Sequence, residues 1–415
     1  MSSSIRILLA LVAGLAGGIA LAAWAPAAVP GTIAVAEPIG HAWLNALQMT
    51  IVPLVVSLLV TGVAATAEAA QAGRLAGRAI ALYVGLLFAS AVTAAILTPL
   101  FLQLAPLPAD SAAALRAALT GVEAVPPTPP LGEFFASIVP ANVIKAASES
   151  AFLSLIIFAL VFAFALTRID AELRTLLTRV FTAVRETMLV VIGWVLWIGP
   201  VGVFALALLV GARAGSGAFG ALVHYILVVV AVGGCWSLFA YPLAVFGARV
   251  RLGDYARASL PAQAVAISTQ SSLASLPAML AGARSLGVPV ATAGVTLPLA
   301  VAIFRATGPA MNFAVAIYVA TWFDRPLDVT TLALGTVVAT LTSLGSVSLP
   351  GTVSFVSAIA PVAATIGAPV APLGLLVAVE TIPDIMRTLG NVMMDVATTA
   401  LLARDALKQG EAQLG

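Results

Sequence analysis

Apolar residues along this chain fall into blocks of about twenty, separated by short polar connections. The blocks are Ile5–Trp24, Trp43–Ala65, Ile80–Leu102, Phe152–Leu166, Met188–Val210, Ala218–Phe246, Val290–Ala320 and Leu332–Val347. A helix rises about 1.5 Å per residue, so about twenty residues cross a hydrocarbon core about 30 Å thick. A transmembrane barrel would alternate polar and apolar positions, and these Leu/Val/Ala blocks do not. The pattern predicts an all-α polytopic membrane protein. Met1–Ala28 has the basic start and small-residue end of a signal peptide, but its apolar stretch exceeds the usual length, so a retained first helix is expected.

Two segments depart from the pattern. Ala264–Ala281 and Leu341–Ala358 are short, rich in Ser and Thr, and each carries Ser-Leu-Pro, at Ser275–Pro277 and Ser348–Pro350. Non-helical backbone at membrane depth is tolerated only where it is buried or lines a cavity. The near-repeat therefore predicts two re-entrant hairpins, about residues 255–285 and 330–365, with tips that meet a site. Small residues that merely let helices approach closely are the plainer alternative. Val125-Pro-Pro-Thr-Pro-Pro130 cannot continue a helix, and residues 108–130 read as an extended external linker.

The last block contains a polar stripe. Glu380, Asp384, Arg387, Thr388, Asn391 and Asp395 follow one another at spacings of four, three, one, three and four residues. At about 100° per residue these positions share one helix face. A charge at the bilayer centre costs about 2.5–3.5 kcal/mol or more, so such a stripe points to a substrate, ion or proton site.

Composition sharpens this reading. Hydrophobic residues make up 61% and charged residues 9% of the chain, against about 25% charged in soluble domains. The single cysteine, Cys235, excludes intrachain disulfides and cysteine-based metal sites. A net charge of +2, dispersed along the chain, gives no nucleic-acid footprint. With the N-terminus inside, Arg74 and Arg78, Arg168 to Arg185, Arg249 to Arg257, Arg284 and Arg404 fall on the cytoplasmic side, leaving Arg213 and Asp324–Arg325 outside. An intramembrane hydrolase is disfavoured, because His41 and His224 lie far in sequence from Ser271 and Ser272. An anion-conducting channel remains an alternative, since polar stripes also line pores.

The chain resembles the glutamate transporter homologues, the dicarboxylate/amino acid:cation symporters, over nearly its whole length. Met49-Thr-Ile-Val-Pro53, Ile138-Val-Pro-Ala-Asn142, Trp197-Ile-Gly-Pro-Val-Gly-Val-Phe204, the two hairpins and, most specifically, Asp384-Ile-Met-Arg-Thr-Leu-Gly-Asn-Val-Met-Met-Asp395 carry the resemblance. It implies eight transmembrane helices plus two hairpins, inverted repeats, a homotrimer in the cell inner membrane, and elevator-type alternating access. The scaffold would comprise residues 1–71 and 131–215, and the moving transport domain residues 72–107 and 216–415. By the same resemblance, Asp384 would hold a substrate ammonium group and Arg387 its side-chain carboxylate. Thr388 and Asn391 would add polar contacts. The tips at Ser271, Ser272, Val347, Ser348 and Gly351 would offer main-chain groups to a second carboxylate. The implied cargo is aspartate, glutamate or a related dicarboxylate, with no cofactor and with Na+ or H+ as coupling ion; a sodium-coupled C4-dicarboxylate symporter is the alternative.

The departures from the family pattern bear on the ion. Where sodium-coupled relatives have Asn-Met-Asp-Gly-Thr, this chain has Phe304-Arg-Ala-Thr-Gly308, and Ala302, Leu87 and Phe88 stand where hydroxyl ligands are expected. Hard cations need several oxygens. Asn391 and Asp395 are what remains of one ion site, so reduced or absent sodium coupling is expected. Gln270 and Ile385 occupy places where relatives carry a second arginine, and Arg305 is the candidate to replace that arginine, the sodium, or both.

Overall fold

The apolar blocks fold as helices, and the polar interruptions decide where those helices break. The computed structural model describes residues 3–71, 74–107, 139–149, 151–214, 217–344 and 351–404. The linker at 108–130 and the tip residues Val347 and Ser348 therefore lie outside the described residues. The first half comprises α1 (Ser3–Trp24), α2 (Val29–Gln48), α3 (Ile51–Gln71), α4 (Arg74–Leu104), α5 (Val143–Ser148), α6 (Phe152–Leu166), α7 (Ala171–Trp197) and α8 (Gly199–Ala214). The second comprises α9 (Gly217–Leu238), α10 (Leu252–Thr269), α11 (Ser272–Ser285), α12 (Val290–Ile303), α13 (Gly308–Trp322), α14 (Val329–Leu344), α15 (Gly351–Thr365) and α16 (Thr381–Leu402). No strand occurs among the described residues.

Three block boundaries differ from the sequence pattern. Trp43–Ala65 is not one helix: α2 runs through Trp43 to Gln48, and the Thr50 hydroxyl donates to the Leu47 carbonyl at 2.7 Å in the turn before α3. Met188–Val210 is interrupted at Ile198, and α7 reaches back to Ala171 through a charged half. Val290–Ala320 is split by residues 304–307 into α12 and α13. Among the described residues, six helical stretches are long and apolar enough to cross a membrane, and four further apolar helices are shorter.

The short helices pair. α10 and α11 pack against each other, as do α14 and α15. The 14 residues of α11 rise only about 21 Å, less than the hydrocarbon thickness. At the first turn Gln270 takes a left-handed backbone (φ 52°) and Ser271 caps α11, its hydroxyl accepting from Ala274 N–H at 3.2 Å. The chain thus twice runs through a helical pair followed by an interrupted helix: α10, α11 and α12/α13, then α14, α15 and the 373–402 stretch.

Packing falls into two sets. α1 and α8 form the closest pair, and a Cβ added at Gly14 or Gly18 would collide with the backbone of α8. Small residues at this spacing let two backbones touch without a polar anchor. α2 packs on α8, and α3 on α6 and α7. The second set is built round α13, which is buried at every position except Thr321, with α4, α9, α14 and α15 against it and α16 beside them.

Candidate functional site

The polar stripe on α16 is buried inside the second set. Glu380, Asp384, Arg387, Thr388, Asn391 and Asp395 are each at most 4% exposed. α9, α10, α11 and α12 surround the helix, and the Tyr255 hydroxyl of α10 donates to the Met393 carbonyl at 2.7 Å. Ile382, at the outer edge, is exposed. The stripe thus faces protein, as the cost of charge in lipid requires.

Arg387 organises the outer half. Its Nη1 forms a salt bridge with Glu380 and donates to Asp384 Oδ1 at 3.3 Å. Glu380 lies seven residues back, two turns along the same face. Both partners grip a single nitrogen. Nε and Nη2 of Arg387 and Oε2 of Glu380 are buried with no hydrogen-bond partner among the described residues. Thr388 donates to the Asp384 carbonyl at 2.9 Å, which fixes its rotamer on the stripe.

The break between α12 and α13 docks on the middle of α16. Thr307 gives its N–H to Asn391 Oδ1 at 2.9 Å, and its hydroxyl lies 2.8 Å from the same oxygen and 2.7 Å from the Arg387 carbonyl. A side chain at Gly390 would collide with Thr307 and Ser237, so glycine there permits the approach. From the other side, Ser90 of α4 donates to the Ala306 carbonyl at 2.7 Å and accepts from Ala310 N–H at 3.1 Å. One hydroxyl thereby satisfies a carbonyl of the break and an orphan donor of the next helix. Tyr83 donates to the Thr296 carbonyl at 3.0 Å and stacks on Phe304, with centroids 4.5 Å apart.

Arg305, within the break, is half-buried and within coulombic reach of Asp384, Arg387 and Asp395. The inner end of the stripe is Asp395, fully buried, with neither carboxylate oxygen hydrogen-bonded among the described residues. Ser271 and Ser272 are half-buried at the start of α11, which packs on α16. Gly351 begins α15, next to the segment outside the described residues.

The structure adds residues to those that the sequence pattern singles out. Phe88 is 48% exposed and turned away from the break, and Ser90, two residues on, is the hydroxyl that meets it. Glu380 was legible as a charge on the stripe, but its grip on Arg387 was not. Thr307 was legible only as part of a motif, and Tyr83 read as an ordinary helix residue. His224 is tied at both ring nitrogens, to the Tyr318 hydroxyl at 3.0 Å and the Ala105 carbonyl at 2.8 Å, and so joins α9, α13 and the end of α4 as a packing histidine.

A family model described as the sodium:dicarboxylate symporter family matches residues 4–405. The proton/glutamate-aspartate symporter of Escherichia coli is 26% identical over 378 residues, covering 89% of this chain and 84% of that protein. The C4-dicarboxylate transport protein of Leptothrix cholodnii is 24% identical over 396 residues, covering 90% and 83%. The neutral amino acid transporter B(0) of Oryctolagus cuniculus is 29% identical over 433 residues, covering 95% and 78%.

Proposed function

The chain belongs to the sodium:dicarboxylate symporter family, whose members are membrane transporters and not enzymes, and from that premise we propose that it carries an acidic amino acid or a related dicarboxylate across the inner membrane. The observation behind the substrate class is the half-satisfied guanidinium of Arg387. Nε and Nη2 form the side-on edge of the fork, two parallel donors matched to one carboxylate. A buried donor left unpaired costs about 1–3 kcal/mol. A substrate carboxylate seated on that edge removes the cost while Glu380 and Asp384 keep the other nitrogen in place. A neutral substrate leaves the edge unmatched.

Asp384 separates the two acidic classes. Its carboxylate suits the ammonium of aspartate or glutamate, a partner that succinate and malate lack. The second carboxylate is assigned to main-chain donors at Ser271 and Ser272, to which the family resemblance adds Val347, Ser348 and Gly351. In an elevator movement the set built on α4 and α9 to α16 would slide against α1, α2, α3, α6, α7 and α8. Packing denser within each set than between them supports that division, with the protein working as a homotrimer.

Among the described residues few side-chain oxygens are left for sodium near the break, the two of Asp395 being those without a hydrogen bond. Phe304 and Ala306 offer no side-chain oxygen, the Ala306 carbonyl already accepts from Ser90, and Asn391 Oδ1 already accepts twice from Thr307. A hard cation asks for several free oxygens at once. Arg305 supplies fixed positive charge in the same neighbourhood. Three buried carboxyls, Glu380, Asp384 and Asp395, then stand against two guanidiniums, Arg305 and Arg387. An anionic substrate adds to a surplus of negative charge, so a proton entering with it is the economical means of neutralisation. The E. coli relative is by its name a proton symporter.

The test is binding to purified wild type and Arg387→Ala, by calorimetry and thermal shift. The variant should lose aspartate or glutamate affinity by about 30-fold or more, as expected when one partner of a buried charge pair is truncated. Unchanged aspartate binding by the variant would remove Arg387 from the site. A wild type that binds succinate or malate and no amino acid would transfer the reading to dicarboxylates and end the ammonium role of Asp384.

A further inference from the structure

A cavity lies in the other packing set, between α3, the end of α6 and the first half of α7. It has a volume of about 550 Å³. Three arginines, Arg174, Arg179 and Arg185, line it together with the hydroxyls of Thr61, Thr178 and Thr182. The sequence explains both features. α3 contributes Ala64, Ala65 and Ala67, too small to fill the space. On α7, Arg174, Thr178 and Arg185 recur at spacings of four and seven residues, which brings them to one face.

The positive charge there is only partly compensated. Arg185 pairs with Glu186 at 2.7 Å and lies 3.5 Å from the buried Thr61 hydroxyl. Arg174 makes one long bond among the described residues, 3.4 Å, to the Thr167 carbonyl. Among the described residues Arg179 has no ion pair. Glu186 is, among the described residues, the acid paired with the cluster. The cavity sits where α7 passes from its charged half to the apolar stretch that begins at Met188, the depth of a headgroup, on the side that arginine bias makes cytoplasmic. Beside it Leu173, Leu176 and Val180 are exposed on the outer surface of α7.

We propose that this cavity binds the phosphate headgroup of an anionic phospholipid of the cytoplasmic leaflet. Guanidinium forks and threonine hydroxyls are complementary to phosphate oxygens. Basic pockets between transmembrane helices at the cytoplasmic face are a known form of headgroup recognition. The cavity is several times larger than one phosphate group, and the exposed leucines and valine beside it offer acyl chains a path; both observations favour a lipid over free phosphate.

The experiment uses the full chain, delipidated in detergent, with phosphatidylglycerol, phosphatidylcholine and inorganic phosphate as probes, and native mass spectrometry and melting temperature as readouts. Wild type should bind phosphatidylglycerol in preference to phosphatidylcholine. R174Q/R179Q/R185Q should weaken phosphatidylglycerol binding at least about tenfold and leave phosphatidylcholine unchanged. Arg179→Gln alone alters an exposed side chain and should give a smaller loss with the fold intact. Aspartate affinity should survive in both variants, which separates this site from that of Arg387. Equal binding of the two lipids by wild type, or an undiminished preference in the triple variant, overturns the proposal. Displacement of the lipid by millimolar inorganic phosphate assigns the cavity to a free anion and overturns it as well.

Discussion

Arg387 is held by one nitrogen and open along one edge, and that asymmetry sets what its neighbours do. Glu380 keeps the guanidinium in place, but its negative charge also repels an arriving carboxylate. Replacing Glu380 with glutamine keeps the shape and removes the charge, so E380Q should bind aspartate about threefold or more tightly. Titration of the purified variant checks this, and weaker binding would make Glu380 a support that the site cannot spare. Asp395 is the complementary case, a buried carboxylate with no hydrogen bond to either oxygen among the described residues. If it takes the coupling proton, Asp395→Asn should abolish uptake driven by a pH gradient and retain exchange of substrate for substrate. Gradient-driven uptake by that variant would move the proton elsewhere on the stripe.

At the scale of elements, the break between α12 and α13 works as a clasp. Thr307 closes it on α16, Ser90 closes it on α4, and neither hydroxyl points to solvent. Thr307→Val preserves volume but removes a hydroxyl whose single proton is shared between the Arg387 carbonyl and Asn391 Oδ1, and losing one such hydrogen bond costs about 1 kcal/mol. The variant should melt measurably lower and transport more slowly, as seen in a thermal melt of the purified protein beside an uptake assay. A melting temperature equal to wild type would leave the clasp without energetic weight. The apolar blocks announced the helices around this clasp but not the clasp itself. Phe304 and Ala306 continue the hydrophobic run, so the split was hidden, whereas Gln270 and Ser271 sat in a polar run that showed its turn. The α2–α3 boundary was hidden in the same way, because one threonine in an apolar block reads as tolerable inside a helix. The α16 stripe was legible because charge in such a block has no structural excuse. Its pairing of Glu380 with Arg387 was not, since Asp384 and Asp395 were equally plausible partners by spacing.

For the whole molecule, the two packing sets differ in chemistry, and the proposed division into frame and transport unit rests on that difference. The α1–α8 pair is joined by close backbone contact at Gly14, Gly18 and Gly211 and carries few charges, as suits a rigid frame. The set around α13 and α16 holds the buried carboxyls and guanidiniums, and the proposed acidic substrate would change its charge balance. That balance underlies the proposal of an acidic substrate seated on Arg387, with Arg305 in place of bound sodium. The most direct measurement is uptake of labelled aspartate into proteoliposomes with an inward pH gradient, first in sodium and then with all sodium replaced by choline. Saturable uptake of similar size is expected in both media, abolished by Arg387→Ala. Uptake that vanishes in choline and returns with sodium would contradict it.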